Sequence, residues 1–120
     1  MSIVLGDCLD RLKEIKENSI DMVYLDPPFF TQRNHVSKTR DNSKEYMFED
    51  CWDSIGDYIE FMKKRLIECH RVLKPTGSIF LHCDKSASHY LRVILDEVFG
   101  MNNFLSEIIW SYKRWSNSKK

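Results

Sequence analysis

The stretch IDMVYLDPP, residues 20–28, constrains this chain more than any other. A near-continuous apolar run closed by a charge is the pattern of a strand buried on both faces of a parallel sheet. Asp26 closes the run, and Pro27 and Pro28 follow directly. Proline fixes φ and pushes the preceding residue out of helical space, so Asp26-Pro27-Pro28 is expected to be extended and stiff at the strand end. A buried parallel strand needs crossover helices, and the rest of the chain must supply them.

The remaining pattern does so. SIVL (2–5) reads as a short strand closed by Gly6 and Asp7. CLDRLKEIKE follows, with Leu9, Leu12 and Ile15 on one helical face, and Asn18 and Ser19 break it. Residues 31–53 are polar and irregular, with Arg33, Lys38, Arg40 and Lys44 scattered through them, which predicts a long loop, functional or mobile. From Ser54 a stripe of Ile55, Ile59, Met62, Leu66, Cys69 and Leu73 predicts a long amphipathic helix ended by KPTG. SIFLHC (78–83) predicts another buried strand. SASHYLRVILDEVF predicts a helix stopped by Gly100, and FLSEIIWSY (104–112) a last strand. The order is β-α-β-loop-α-β-α-β, which implies a mostly parallel α/β sheet with flanking helices and right-handed crossovers. Ligands in such sheets sit beyond the carboxyl ends of the strands. Asp7, Asp26 and Asp84 fall at or just after such ends, so three carboxylates are expected on one rim, although Asp also suits turns.

Bulk properties narrow the function classes. At 120 residues there is room for one domain at most, and 42% hydrophobic with 30% charged residues is globular composition. The net charge of +0 calls for neither nucleic acid nor membrane overall, so any polyanion contact is local. No apolar run approaches a membrane-spanning length, and the first ten residues lack a basic region and cleavage-like site, so neither a membrane partner nor secretion is expected. Cys8, Cys51, Cys69 and Cys83 form no CxxC pair, which predicts reduced thiols in a cytoplasmic setting and no metal cluster.

Chemistry gathers at DPPF. A braced segment presents the Asp26 carboxylate and the Pro27 carbonyl as a fixed pair of acceptors, because Pro27 and Pro28 have no N–H to offer. Phe29 and Phe30 add flat apolar faces. Two acceptors beside aromatic rings fit a planar heterocycle with an exocyclic amino group. The plainer reading of the same residues is a stiff turn.

GDCLDRL, SIDMVYLDPPFF, VLKPTGSIFLHCDKSASHYLRVILDEVFG and NNFLSEIIW, in that order, resemble the amino-methyltransferases that methylate adenine N6 or cytosine N4 in DNA. The resemblance covers most of the chain. It implies an incomplete Rossmann-like class I fold using S-adenosylmethionine, with Asp26, Pro27, Pro28 and Phe29 as the catalytic segment. Asp26 and the Pro27 carbonyl would accept the two amino N–H groups and favour a more tetrahedral nitrogen, Asp26 would take a late proton, and Phe29 would stack on a base flipped from double-stranded DNA. Asp at the first motif position favours adenine N6 over cytosine N4. Asp7 matches a position near the cofactor's adenosine, against plain helix N-capping. Trp110 matches an aromatic segment near the flipped base, against a core role, and Phe30 is a further base contact. Lys113, Arg114, Lys119 and Lys120 form a basic tail suited to phosphate or simply to solvent. His82, Cys83 and Asp84 read as strand-end structure. A cytosine-C5 enzyme is disfavoured because no cysteine follows a proline.

The glycine-rich cofactor loop of that family is not found, since Gly6, Gly56, Gly77 and Gly100 are all isolated. In the permuted branch of the family the cofactor half and the recognition region lie C-terminal. Residues 1–120 then correspond to the N-terminal catalytic part, which needs a cofactor and recognition half in cis or in trans. A cognate restriction endonuclease is a further partner the family admits. Alone, the chain is expected to be inactive and to leave an uncovered apolar sheet face. The competing readings are an RNA guanine-N2 methyltransferase and an inactive remnant.

Overall fold

The computed structural model describes residues 3–113, in the order α1 (Cys8–Lys13), β1 (Ile20–Leu25), β2 (Arg33–Lys38), β3 (Glu45–Asp50), α2 (Ile55–Val72), β4 (Leu73–Leu81) and α3 (Ser88–Phe99), with a 3-10 turn at Met101–Asn103. β1 and β4 pair in parallel, and β2 and β3 form a separate antiparallel hairpin.

α2 begins where Ser54 caps it, its hydroxyl accepting from Asp57 N at 3.1 Å. Its apolar stripe drives it onto α3. Tyr58, Met62 and Leu66 from α2 meet Ala87, Leu91 and Ile94, and this cluster is buried throughout. Leu25, Ile79 and Leu81 bring one face of the β1–β4 pair onto the same core. α1 is tied to α2 through Arg71, whose guanidinium donates to the Leu12 and Ile15 carbonyls at 2.8 and 3.0 Å. These carbonyls lie at and just beyond the C-terminal end of α1, so the contact fixes that end against α2. α3 stops at Gly100, where φ is +88°, a conformation glycine adopts without cost.

The structure departs from the sequence expectations in five places, each for a physical reason. Residues 3–5 and 104–112 form no strand, and Ser2 lies outside the described residues. These apolar runs have no neighbouring strand to accept their backbone hydrogen bonds, so their composition alone cannot hold them extended. Residues 31–53 are not an irregular loop, because they contain the β2–β3 hairpin. Most hairpin residues face solvent, so no alternation of apolar and polar residues betrays them. β4 starts at Leu73 rather than Ser78. Ile20 pairs with Leu73 and Met22 with Ser78, so KPTG is an irregularity inside the strand, not a turn before it. Gly77 is required there: a Cβ would lie 2.8 Å from Leu73 Cδ2 and 3.1 Å from two β1 carbonyls.

The fifth departure concerns β1, which is covered on one face only. Met22 and Tyr24 are 60% and 61% exposed, and Phe80, paired with Tyr24 across the sheet, is also exposed. The uncovered apolar sheet face anticipated from the sequence is therefore present. No helix of the described residues is long and apolar enough to cross a membrane.

An uncovered apolar face should bind a hydrophobic dye and promote self-association. Sedimentation of the chain at micromolar concentration is expected to show association, and Tyr24→Lys with Phe80→Lys should reduce both association and dye binding. A monomer that ignores the dye would contradict this account.

Candidate active site at the strand ends

The carboxyl ends of β1 and β4 lie side by side, Leu25 opposite Leu81, and the His82 N–H still donates to the Leu25 carbonyl at 2.8 Å. From this edge the chain leaves β1 through Asp26, Pro27, Pro28 and Phe29. These four residues, with His35, Phe48 and Asp50, line a cleft of about 390 Å³.

The segment's geometry is set by Asp50, which is 1% exposed. Its carboxylate accepts from the backbone N–H groups of Phe29 (3.2 Å), Phe30 (2.9 Å) and Thr31 (2.7 Å). It also accepts from the Thr31 hydroxyl at 2.7 Å and from the Trp52 indole N–H at 3.2 Å. Three successive N–H groups turned to one point form an anion nest, and here the anion is an internal side chain. Turning them inward puts Phe30 at φ +61°, a left-handed conformation that costs a phenylalanine on the order of 1 kcal/mol. The hydrogen bonds to Asp50 hold it there. Burial works against ionisation of Asp50, but the bonds from Thr31, Trp52 and the Phe30 N–H outweigh it and hold the carboxyl below its usual range.

The next acceptor is also taken. Tyr58, in the core, donates its hydroxyl to the Pro28 carbonyl at 2.9 Å. Burial first, and then the nearby Asp50, push this phenol well above its ordinary value, so it stays a donor. Among the described residues, the Asp26 side chain and the Pro27 carbonyl have no hydrogen-bonding partner. The Phe29 ring sets against His82 edge-on, with centroids 5.3 Å apart.

The other sequence candidates are distributed differently. Of the three carboxylates expected on one rim, only Asp26 lines the cleft. Asp7 caps α1, accepting from Leu9 N at 2.8 Å, and takes a two-oxygen contact from Arg65 at 2.9 and 2.7 Å. Asp84 shapes the entry to α3, accepting from Ser86 N at 2.7 Å. Phe30 does not line the cleft; its ring lies against Tyr58, centroids 5.3 Å apart, at the edge of the core. Trp110 is 77% exposed, so it is not a core residue. Lys113 is exposed, and Arg114, Lys119 and Lys120 lie outside the described residues. Burial raises the Cys83 thiol, and no His, Cys, Asp or Glu group among the described residues is arranged to hold a metal.

Asp50, Tyr58, His35 and Phe48 are the site residues that sequence reasoning missed. Tyr58 carried a signal, since it lies one residue before Ile59 on the apolar stripe. Asp50, twenty or so positions from the groups it holds, carried none.

The N6/N4-type DNA methylase family, described simply as DNA methylase, matches residues 20–120. The chain belongs to that family. It is 40% identical over 84 residues to the Type II methyltransferase M.HinfI of Haemophilus influenzae, covering 67% of this chain and 23% of that protein. To M.KpnI of Klebsiella pneumoniae it is 32% identical over 111 residues, covering 90% of this chain and 26% of that one. To M.HpaI of Haemophilus parainfluenzae it is 33% identical over 110 residues, covering 92% and 31%. The chain thus spans less than a third of these relatives.

Removing the Asp50 carboxylate leaves three backbone donors and an indole without a partner. Asp50→Ala is expected to cost on the order of 3 kcal/mol, read from urea unfolding. Because the folded pKa is lowered, this stabilisation is complete above the ordinary carboxylate value of about 4 and is lost as pH falls through the lowered one. Trp52 fluorescence should report that acid transition, and Asp50→Asn should remove it. An unchanged transition in Asp50→Asn would deny Asp50 this role.

Proposed function

We propose that this chain forms the base-holding side of a DNA amino-methyltransferase, with S-adenosylmethionine as methyl donor and adenine N6 as the favoured target. The observation that carries the reading is the pair of acceptors at the end of β1 that, among the described residues, are unengaged. Asp50 and Tyr58 occupy the neighbouring backbone groups, while the Asp26 carboxylate and the Pro27 carbonyl remain open beside the Phe29 ring.

An exocyclic amino group is a poor nucleophile because its lone pair is delocalised into the ring. Asp26 and the Pro27 carbonyl accept its two N–H bonds and orient the nitrogen lone pair out of the ring plane. Asp26 lies where positive charge develops on nitrogen and is the acceptor for the departing proton. Phe29 supplies a stacking face for a base taken out of the duplex. Positioning carries much of the rate.

Apart from Asp7, the described residues offer no glycine-rich cradle for the donor. β1 leaves into Asp26 and Pro27 and β4 into His82, so neither strand runs into a glycine-rich turn toward a helix. We assign the cofactor loop and the groove-reading region to sequence beyond these 120 residues, supplied in cis or in trans. The parallel β1–β4 pair with its helices is then one part of a Rossmann-like class I fold. Asp7 is assigned to the cofactor's adenosine, and Trp110 and Lys113 to the DNA side, by family position.

In an assembly that methylates double-stranded DNA, Asp26→Ala is expected to lower transfer by at least about a thousandfold while cofactor affinity changes little. Retained turnover would remove Asp26 from the mechanism. Mass analysis of the product nucleoside decides the target: N4-methylcytosine instead of N6-methyladenine would overturn the choice of base but leave the amino chemistry intact.

A further inference from the structure

The β2–β3 hairpin buries almost nothing in the core, yet it is fixed to the strand end. Asp50 closes β3 and grips the backbone of residues 29–31. A second tie runs from β2, where His35 Nε2 meets the Thr31 hydroxyl at 2.8 Å. That hydroxyl has one proton, which goes to Asp50, so the His35 bond must be donated by Nε2–H. The imidazole is thereby oriented whichever charge it carries.

His35 and Phe48 are direct partners across the hairpin, and their rings stack with centroids 4.8 Å apart and planes 13° from parallel. Both line the cleft that holds Asp26, Pro27 and Phe29. Phe48 has one face on His35 and keeps 55% of its surface exposed, so its other face is open. Val36, Tyr46 and Met47 on the hairpin are also exposed, but of these apolar residues it is Phe48 that lines the cleft, backed by the His35 ring.

We propose that the His35–Phe48 pair is a second stacking wall of the base cleft, built by the hairpin and set in register with the Asp26–Pro27 acceptors by Asp50. Phe48 contacts the base, and His35, held through Thr31, is a positioning residue that backs Phe48. This rests on the reading of the cleft as a base site and adds the element that closes it. The ligand is a planar nucleobase bearing an amino group. Its ring meets Phe48 and its amino edge meets Asp26 and Pro27. The contact is stacking, so it discriminates weakly among bases, and the acceptors select those with an amino group.

The test uses the assembly that methylates double-stranded DNA, with this chain isotope-labelled, titrated with adenosine, cytidine and uridine while the Phe29 amide and the Phe48 and His35 ring protons are followed by NMR. Adenosine and cytidine should shift all three sets with one dissociation constant and uridine should bind less tightly. Phe48→Leu, which keeps apolar bulk without a ring, should weaken adenosine about tenfold, and Phe48→Tyr should restore it. Amide dispersion confirms that each variant is folded. Should Phe48→Leu bind as wild type while Asp26→Asn binds less well, the hairpin wall is overturned and the acceptor reading stands. Weakening by Phe48→Leu with no effect of Asp26→Asn keeps the wall and overturns the acceptors. An absence of nucleoside shifts at Phe48 overturns the wall.

Discussion

The Asp50 carboxylate draws three consecutive backbone N–H groups to one point, and the geometry of the strand end follows from that convergence. A buried charge is stable only when its lone pairs are filled, and here five donors fill them. In exchange the loop after Pro28 loses its freedom. Phe30 is turned left-handed, its ring swings to Tyr58, and Phe29 is left on the cleft side against His82. Consecutive phenylalanines thus take different work, one in packing and one at the site.

The same convergence explains why acceptors are left over. Pro27 and Pro28 bring carbonyls without donors, so the segment starts with an excess of oxygen. The Tyr58 hydroxyl meets one of these carbonyls, and Asp50 consumes the N–H groups that follow. Asp26 and the Pro27 carbonyl stand beside groups that are already engaged: the Pro28 carbonyl by Tyr58 and the N–H groups of residues 29–31 by Asp50.

The elements whose burial shows in their spacing were legible from residues alone. α2, α3 and β1 bury a stripe or a face, and Ser54, Gly100 and Asp26-Pro27 mark their ends. The hairpin was not legible. Its strands gain their order from cross-strand pairs such as His35 with Phe48 and from the distant Asp50, neither of which leaves a periodic trace. The runs at 3–5 and 104–112 misled in the opposite sense. They are apolar enough to be strands, but a strand is a relation between two segments, and no partner is beside them. At the site, Asp26 and the prolines were readable because proline acts locally. Asp50 was not, because its partners lie across a loop of some twenty residues.

The hairpin tip, residues 39–44, lies at the end of the ladder away from Asp50. There Asp41 accepts from Thr39 and Ser43 and is drawn down to about 2. Pairing between β2 and β3 is anchored at the other end, where Arg33 meets Asp50. Residues added in pairs at the tip would extend the ladder outward and leave His35 opposite Phe48. The fold thus has one adjustable dimension at this strand-end edge: the reach of the hairpin into whatever lies above the cleft can change with chain length, while the acceptors and rings beneath keep their register.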